Sequence, residues 1–185
     1  MTRPDSVGAD DRLRLFCALT LPDPVLDSLE RWQHESLRCD ARATSRDRLH
    51  ITLAFLGSTP AGLLERIEDA VGAAAAGAAG PLRLAPSRYR ETRSVGMLVL
   101  DDEAGRATSL AADLHTRLEE LGVYRREARP WLPHVTVLRF QQTPGLQPAL
   151  PDLATFSPSG AAVYHSVLRP TGAQYEVLHH VALGG

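Results

Sequence analysis

One four-residue motif occurs twice in this chain, as His50-Ile51-Thr52-Leu53 and as His134-Val135-Thr136-Val137. In each copy one apolar residue separates a histidine from a threonine, and another apolar residue follows. Successive side chains of a β-strand point to opposite faces, so each imidazole would lie beside a hydroxyl while the apolar residues enter a core. Two matches this strict arise by chance in about one per cent of chains or fewer. The repeat therefore predicts two similar strands that line one cleft.

The hydrophobic pattern predicts an α+β chain in which each motif strand follows a helix and a loop. Pro24 lies in the first turn of one helix, Thr59-Pro60 starts an Ala-rich helix, and Gly122 ends a third. Gly57 is expected to end the first motif strand. Because the helix, loop and motif strand occur twice, we expect two related halves that face one another. The predicted strands are residues 12–21, 49–56, 82–89, 95–100, 134–140, 160–168 and 174–183, and the predicted helices follow Pro22 and cover 59–78 and 104–121.

Length and composition indicate one globular domain. Apolar residues make up 44% of the 185 residues and charged residues 23%, as in ordinary soluble proteins. We expect a flexible N-terminal tail at residues 1–11 and a single domain at 12–185 with two pseudo-repeat lobes. The spacing of Cys17 and Cys39 fits neither a CxxC pair nor a metal framework, and the polar start of the sequence leads us to expect no signal peptide. We expect a cytoplasmic monomer that does not bind a membrane.

The charge pattern limits how such a protein can contact nucleic acid. The formal net charge is −2, which excludes a strong global attraction to a polyanion. Any nucleic-acid contact is therefore expected at an RNA end or a single phosphate. All 20 basic residues are Arg, so a phosphate would meet planar guanidinium forks.

Two histidines in one cleft suit acid–base chemistry. Histidine titrates near neutrality, so one imidazole can accept a proton while the other donates one. Opening a cyclic phosphodiester needs both functions, since water must be activated and the leaving ribose oxygen protonated. Threonine hydroxyls can donate hydrogen bonds to phosphate oxygens as negative charge develops. For one motif alone we would prefer the alternative that its histidine is an ordinary core or surface residue. The second copy favours a shared site.

At these residues the chain resembles the 2H phosphoesterase superfamily, which is defined by two His-x-Thr/Ser-x motifs. More narrowly, it is similar to the RNA 2′,3′-cyclic phosphodiesterases, a family also called 2′-5′ RNA ligase-like. The resemblance extends from Arg12 to about Val181. It rests on RLFCAL near the start, LHITLAFLG at 49–57, PHVTVLRF at 133–140 and HSVLRPTGAQYEVL at 165–178.

This resemblance implies a bilobal fold in which two pseudo-symmetric lobes with antiparallel sheets form a V-shaped central cleft. It implies hydrolysis of RNA 2′,3′-cyclic phosphate ends to 2′-phosphates without ATP, a metal or any other cofactor. By matching motif positions, His50 becomes the proton donor and His134 the proton acceptor. Thr52 and Thr136 become substrate-binding residues.

Two further positions match the family pattern. Arg139 follows the second motif where the family commonly has an arginine, and a phosphate-binding role is the functional interpretation. Strict strand alternation, however, puts Arg139 on the face opposite His134, so it needs a bulge, a strand end or a long reach. A solvated Arg139 is the alternative. Ser166 falls at a common family serine and is expected to line the cleft, whereas the pattern gives His165 no role.

The remaining candidates are weaker. Arg125, Arg126 and Arg129 precede Trp131 and could form a platform for ribose, phosphate and base, although such loops are more often solvated basic faces. His34 and His115 are expected on helix surfaces, and one residue of His179-His180 must face outward. None of these histidines has ligand spacing with Cys, Asp or Glu, so we predict no metal site.

The sequence leaves two alternatives to cyclic phosphodiester hydrolysis. The same site could join RNA ends through a 2′-5′ linkage, or act on a sister substrate such as an ADP-ribose cyclic phosphate. A chain that kept the cleft could instead be a non-catalytic module that binds RNA ends or nucleotides. The expected partners in each case are RNA ends or small nucleotides.

Overall fold

The computed structural model describes residues 11–37, 41–169 and 172–183. Almost all of the expected N-terminal tail, Cys39 and the centre of the predicted turn at 169–172 lie outside these residues. No helix within the described residues is long and apolar enough to cross a membrane.

The strands are β1 (Arg12–Thr20), β2 (Arg42–Ala43), β3 (Ile51–Pro60), β4 (Leu84–Glu91), β5 (Val95–Asp102), β6 (His134–Arg139), β7 (Gly160–Arg169) and β8 (Gly172–Ala182). The helices are α1 (Asp23–Ser36), α2 (Leu64–Ala76) and α3 (Arg106–Glu120).

All strand pairs are antiparallel, and the strands follow the order β4-β5-β6-β3-β1-β7-β8, with β2 also beside β6. Two half-sheets meet where β3 lies beside β6, and there the backbone pairing is confined to Ile51 and Val135. These residues are the centres of the two motifs. The α+β class and the two facing halves are therefore confirmed, and the halves are joined into one curled sheet.

The hydrophobic core lies between the helices and one face of this sheet. The inward residues Ile51, Leu53, Val135 and Val137 of the motif strands are at most 2% exposed and belong to the main apolar cluster. Leu114 of α3 belongs to the same cluster. Burying each such side chain contributes about 1.5–3 kcal/mol, which holds both motif strands firmly. Their histidines and threonines are left on the opposite face.

Several element boundaries differ from the sequence-based expectation. Strand β3 does not end at Gly57 but continues to Pro60, because Gly57 adopts a φ of +65° at a β-bulge. Helix α2 begins only at Leu64, after a 3₁₀ turn. Strand β2 was not predicted, since two residues show no periodicity.

Candidate active site

The two motifs line one cleft of about 560 Å³. Pairing of Ile51 with Val135 sets the antiparallel motif strands side by side, so their outward side chains emerge next to one another. The structure thus brings together all six residues singled out from the sequence. The lining consists of Arg14, Leu15, Phe16, Arg42, Thr44, Arg48, His50, Thr52, Phe55, Gly57, His134, Thr136, Arg139, Ser166, Leu168, Gly172, Ala173 and Tyr175.

The backbone fixes the ring of His134. Its Nδ1 atom lies 2.8 Å from the carbonyl oxygen of Leu132, and because a carbonyl can only accept, Nδ1 carries the proton. In the neutral ring the lone pair then resides on Nε2. This tautomer can accept a proton from a water molecule in the cleft.

His50 is held in a corresponding way but in a more apolar environment. Its ring donates a hydrogen bond to the backbone of Arg48, again two residues earlier. The ring centroid of Phe16 lies 5.0 Å from that of His50, and those of Tyr175 and Tyr164 lie 5.7 and 5.9 Å away. Burial lowers the pKa of His50 to about 4. The hydrogen bond to Arg48 opposes this shift, and electrostatic interactions with Arg139 and His134 add to it. In the free protein His50 is therefore neutral at neutral pH.

Side chains from outside the sheet hold β3 where it departs from β6. Trp131 Nε1 donates a 2.9 Å hydrogen bond to the carbonyl of Thr52, and His115 Nε2 donates one of 2.8 Å to the carbonyl of Leu53. These two bonds satisfy backbone carbonyl groups close to the point where the two motif strands separate. His115 is 5% exposed and stacks on Tyr124, so the expectation of a surface His115 was wrong.

Arg139 reaches the cleft through a β-bulge. Against β5, Leu138 pairs with Gly96 and Thr136 pairs with Met97, so Val137 is an extra residue in β6. The bulge shifts the alternation by one residue, which returns Arg139 to the side of Thr136. Arg139 lines the cleft and lowers the pKa of His50 by its charge. The sequence-based requirement for a bulge is met.

Ser166 lies in β7 and is 8% exposed at the cleft. Its neighbour His165 faces the other way, where Nδ1 lies 3.6 Å from a carboxylate oxygen of Glu176. This alternation explains why His165 has no place in the cleft.

Sequence reasoning missed part of the cleft. Phe55 lines it and is 68% exposed. A bulge at Leu53 brings Phe55 to the face of Thr52, where strict alternation would not place it. Arg42, Thr44 and Arg48 come from the polar stretch before the first motif, which has no periodicity that would reveal their direction. The concentration of arginines in that stretch is the signal that could have pointed to a phosphate site.

The other candidates lie outside the cleft. Arg126 Nη2 donates to Thr116 and lies 3.4 Å from Glu119, and Arg129 lies 3.9 Å from Glu127, as in a solvated loop. His34 is exposed, as expected. His180 is exposed too, with Nε2 3.4 Å from the Thr20 hydroxyl. Within the described part of the chain, no three His, Cys, Asp or Glu side chains are placed to hold a metal ion.

The charge of the cleft lining favours an anionic ligand. Its described lining includes the four arginines Arg14, Arg42, Arg48 and Arg139, and no Asp or Glu. Several hydroxyl groups add neutral hydrogen-bond donors. Both histidines lie in this positively charged lining.

The family and fold agree with this geometry. The sequence model of the 2′-5′ RNA ligase superfamily matches residues 21–169. No curated protein matches the chain in sequence.

Solved structures resemble almost the whole chain. The protein TT0787 of Thermus thermophilus is 28% identical with a TM-score of 0.77, over 94% of this chain and 99% of that one. E. coli LigT is 24% identical in its complexes with phosphate and with 3′-AMP, with TM-scores of 0.73 and 0.71, over 95% of this chain and 99% of LigT. These likenesses match the bilobal 2H phosphoesterase fold that the family resemblance implies.

Proposed function

The chain belongs to the 2′-5′ RNA ligase superfamily, and from that premise we propose that it opens 2′,3′-cyclic phosphates at RNA ends, leaving a 2′-phosphate. The observation that carries this proposal is the pairing of Ile51 with Val135, which sets His50 and His134 in one arginine-lined cleft. In this proposal the cyclic phosphate binds between the two imidazoles that line the cleft.

The proposed reaction is one in-line displacement at phosphorus. His134 Nε2 takes a proton from water as the water oxygen bonds to phosphorus. The bond from phosphorus to the ribose 3′-oxygen breaks, and His50 supplies the proton which that oxygen needs. Thr52, Thr136 and Arg139 stabilise the negative charge on the non-bridging oxygens. One water molecule is consumed in each reaction. Afterwards His134 carries a proton and His50 has lost one, and proton exchange with solvent restores the starting states.

The role of His50 as donor sets a condition on its protonation. A donor must be charged before reaction, whereas burial keeps the pKa of His50 near 4 in the free protein. The negative charge of a bound phosphate raises the pKa of a neighbouring imidazole. His50 thus acquires its proton together with the anionic substrate.

The exposed ring of Phe55 supports a nucleotide as the substrate. A large apolar side chain that is 68% exposed in a polar cleft offers a face on which a base can stack. In the solved structures, E. coli LigT is complexed with phosphate, 3′-AMP, ATP and NADP⁺. By analogy, we assign Phe55 to the base of the terminal nucleotide.

The test is to incubate the protein with adenosine 2′,3′-cyclic phosphate in excess chelator and to follow the products by phosphorus NMR. We expect a 2′-monoester as the product. A 3′-monoester, or loss of turnover with chelator, would contradict the mechanism. Adding an RNA with a 5′-hydroxyl tests joining through a 2′-5′ linkage. Tight binding without turnover would show a non-catalytic module.

A further inference from the structure

The cleft contains a second group of donors beside the proposed catalytic set. Arg42 and Thr44 are two residues apart in extended chain, so both side chains line the cleft. Arg42 pairs across the sheet with Arg139, which ties this group to the β6 side of the site. Arg48 enters from the turn before His50.

Two of these guanidinium groups converge on one point. A methyl group on Gly172 would lie 3.7 Å from Nη1 of Arg48 and 3.9 Å from Nη1 of Arg42. Arg48 also lies over the ring of Tyr175, 5.9 Å from its centroid, a contact that orients its fork. Two like charges held this close to one point favour an anion between them.

Two buried polar atoms in this group have no hydrogen-bond partner among the described residues, namely Thr44 Oγ1 and Arg48 Nε. Thr44 is 8% exposed. The carboxylate oxygen of Asp47 lies 3.8 Å from Arg48 Nε, beyond hydrogen-bond distance. By contrast, Arg46 in the same segment makes hydrogen bonds with Asp23, Asp27 and Glu30. Buried donors are normally satisfied, so this pair indicates a ligand that supplies acceptors.

We propose that Arg42, Thr44 and Arg48 form a second phosphate subsite, which binds the phosphate on the 5′ side of the terminal ribose. The inference rests on the proposed function, because it takes the cyclic phosphate to occupy the histidine pair. Guanidinium forks and a hydroxyl offer donors to the oxygens of a phosphate. The subsite would make the protein select RNA ends and 5′-phosphorylated nucleotides over plain nucleosides with a cyclic phosphate.

The kinetic test compares adenosine 2′,3′-cyclic phosphate with the same compound carrying a 5′-phosphate. We expect the 5′-phosphate to raise kcat/KM by about tenfold to a hundredfold, the range for hydrogen bonds to a charged group. Arg48→Met and Thr44→Val should bring the ratio of the two kcat/KM values towards one. Arg31→Met, on the exposed side of α1, is the matched control and should keep the ratio.

A binding test separates failure of the subsite from failure of the proposed function. Affinities for adenosine 2′-phosphate and adenosine 2′,5′-bisphosphate are measured by calorimetry, which needs no turnover. If the parent protein binds the bisphosphate more tightly and Thr44→Val does not, the result supports the subsite, even if neither cyclic compound is hydrolysed. Equal affinities in the parent protein overturn it.

Thr44→Val also tests whether the hydroxyl serves the ligand or the fold. Valine matches the shape of threonine and removes a buried group that has no described partner, so Tm should rise by about 2–4 °C. A fall in Tm, with the preference for a 5′-phosphate unchanged, would assign Thr44 to the fold and overturn its part in the subsite.

Discussion

Ile51 and Val135, the central residues of the two motifs, pair directly with one another where β3 meets β6. Both side chains are at most 1% exposed in the core, and in a strand the residues on either side of each must point the other way. One buried apolar pair thereby places two histidines and two threonines in a common cleft. The packing that stabilises the fold is the same packing that assembles the site.

Replacing either histidine should abolish most of the proposed activity. His50→Ala and His134→Ala are each expected to lower kcat by about 10²–10⁴-fold, as for the loss of a general acid or base. Circular dichroism should show the fold retained, because both rings lie in the cleft and not on the sheet face that packs against the helices. Strong turnover in either variant would contradict the acid–base pair.

A substrate with sulfur in place of the ribose 3′-oxygen can separate the two roles. A thiolate leaves without prior protonation, since thiol pKa values lie far below those of alcohols. His50→Ala should therefore recover much of its rate on this substrate, and His134→Ala should not. Recovery in His134→Ala instead would reverse the assignment of donor and acceptor.

The low pKa of His50 makes stability depend on pH. An unfolded histidine titrates near 6.5, whereas burial lowers the pKa of folded His50 to about 4. Between these values the unfolded chain binds more protons at this site, so acid favours unfolding. The free energy of unfolding should fall by about 3 kcal/mol as pH drops through this window. Urea titrations at several pH values should show a shallower fall for His50→Gln, with exposed His34→Gln as the control.

Arg139 should affect His50 through its charge. Its guanidinium helps to hold the pKa of His50 low, so Arg139→Gln is expected to raise that pKa, as NMR titration of the imidazole would show. The same variant should weaken phosphate binding, because a charged fork is replaced by a neutral amide. An unchanged pKa would mean that Arg139 does not face the ring in solution.

The sequence predicts the helices, the strands other than β2, and the cleft, because each depends on local patterns. The motifs alternate strictly, and alternation is enough to predict that His50, Thr52, His134 and Thr136 point to one face of the sheet. Their meeting also follows, since a repeated unit suggests facing halves.

The features that the sequence does not predict depend on the register between paired strands. The bulge at Val137 turns Arg139 towards the cleft, and the bulge at Leu53 does the same for Phe55. Each bulge is defined only against the partner strand, which local sequence does not specify. His115 was misplaced for a related reason: its burial depends on the carbonyl of Leu53 in a distant strand.

Trp131 should act as a positioning residue for the first motif. Its indole N–H bonds to the carbonyl of Thr52, so Trp131→Phe keeps a ring but leaves that carbonyl without this donor. The free energy of unfolding should fall by about 1–2 kcal/mol. Because Thr52 is then held less firmly, kcat should fall by about tenfold with little change in KM, as expected when charge stabilisation in the transition state is weakened.

Trp32→Phe provides the matched control. The indole of Trp32 donates a 2.7 Å hydrogen bond to the carbonyl of Ala149, and neither residue lines the cleft. This variant loses the same kind of bond and should lose similar stability while keeping its kcat. If both variants lowered kcat equally, the effect would be one of general stability. A loss confined to Trp131→Phe would show that the hydrogen bond to Thr52 serves the geometry of the site.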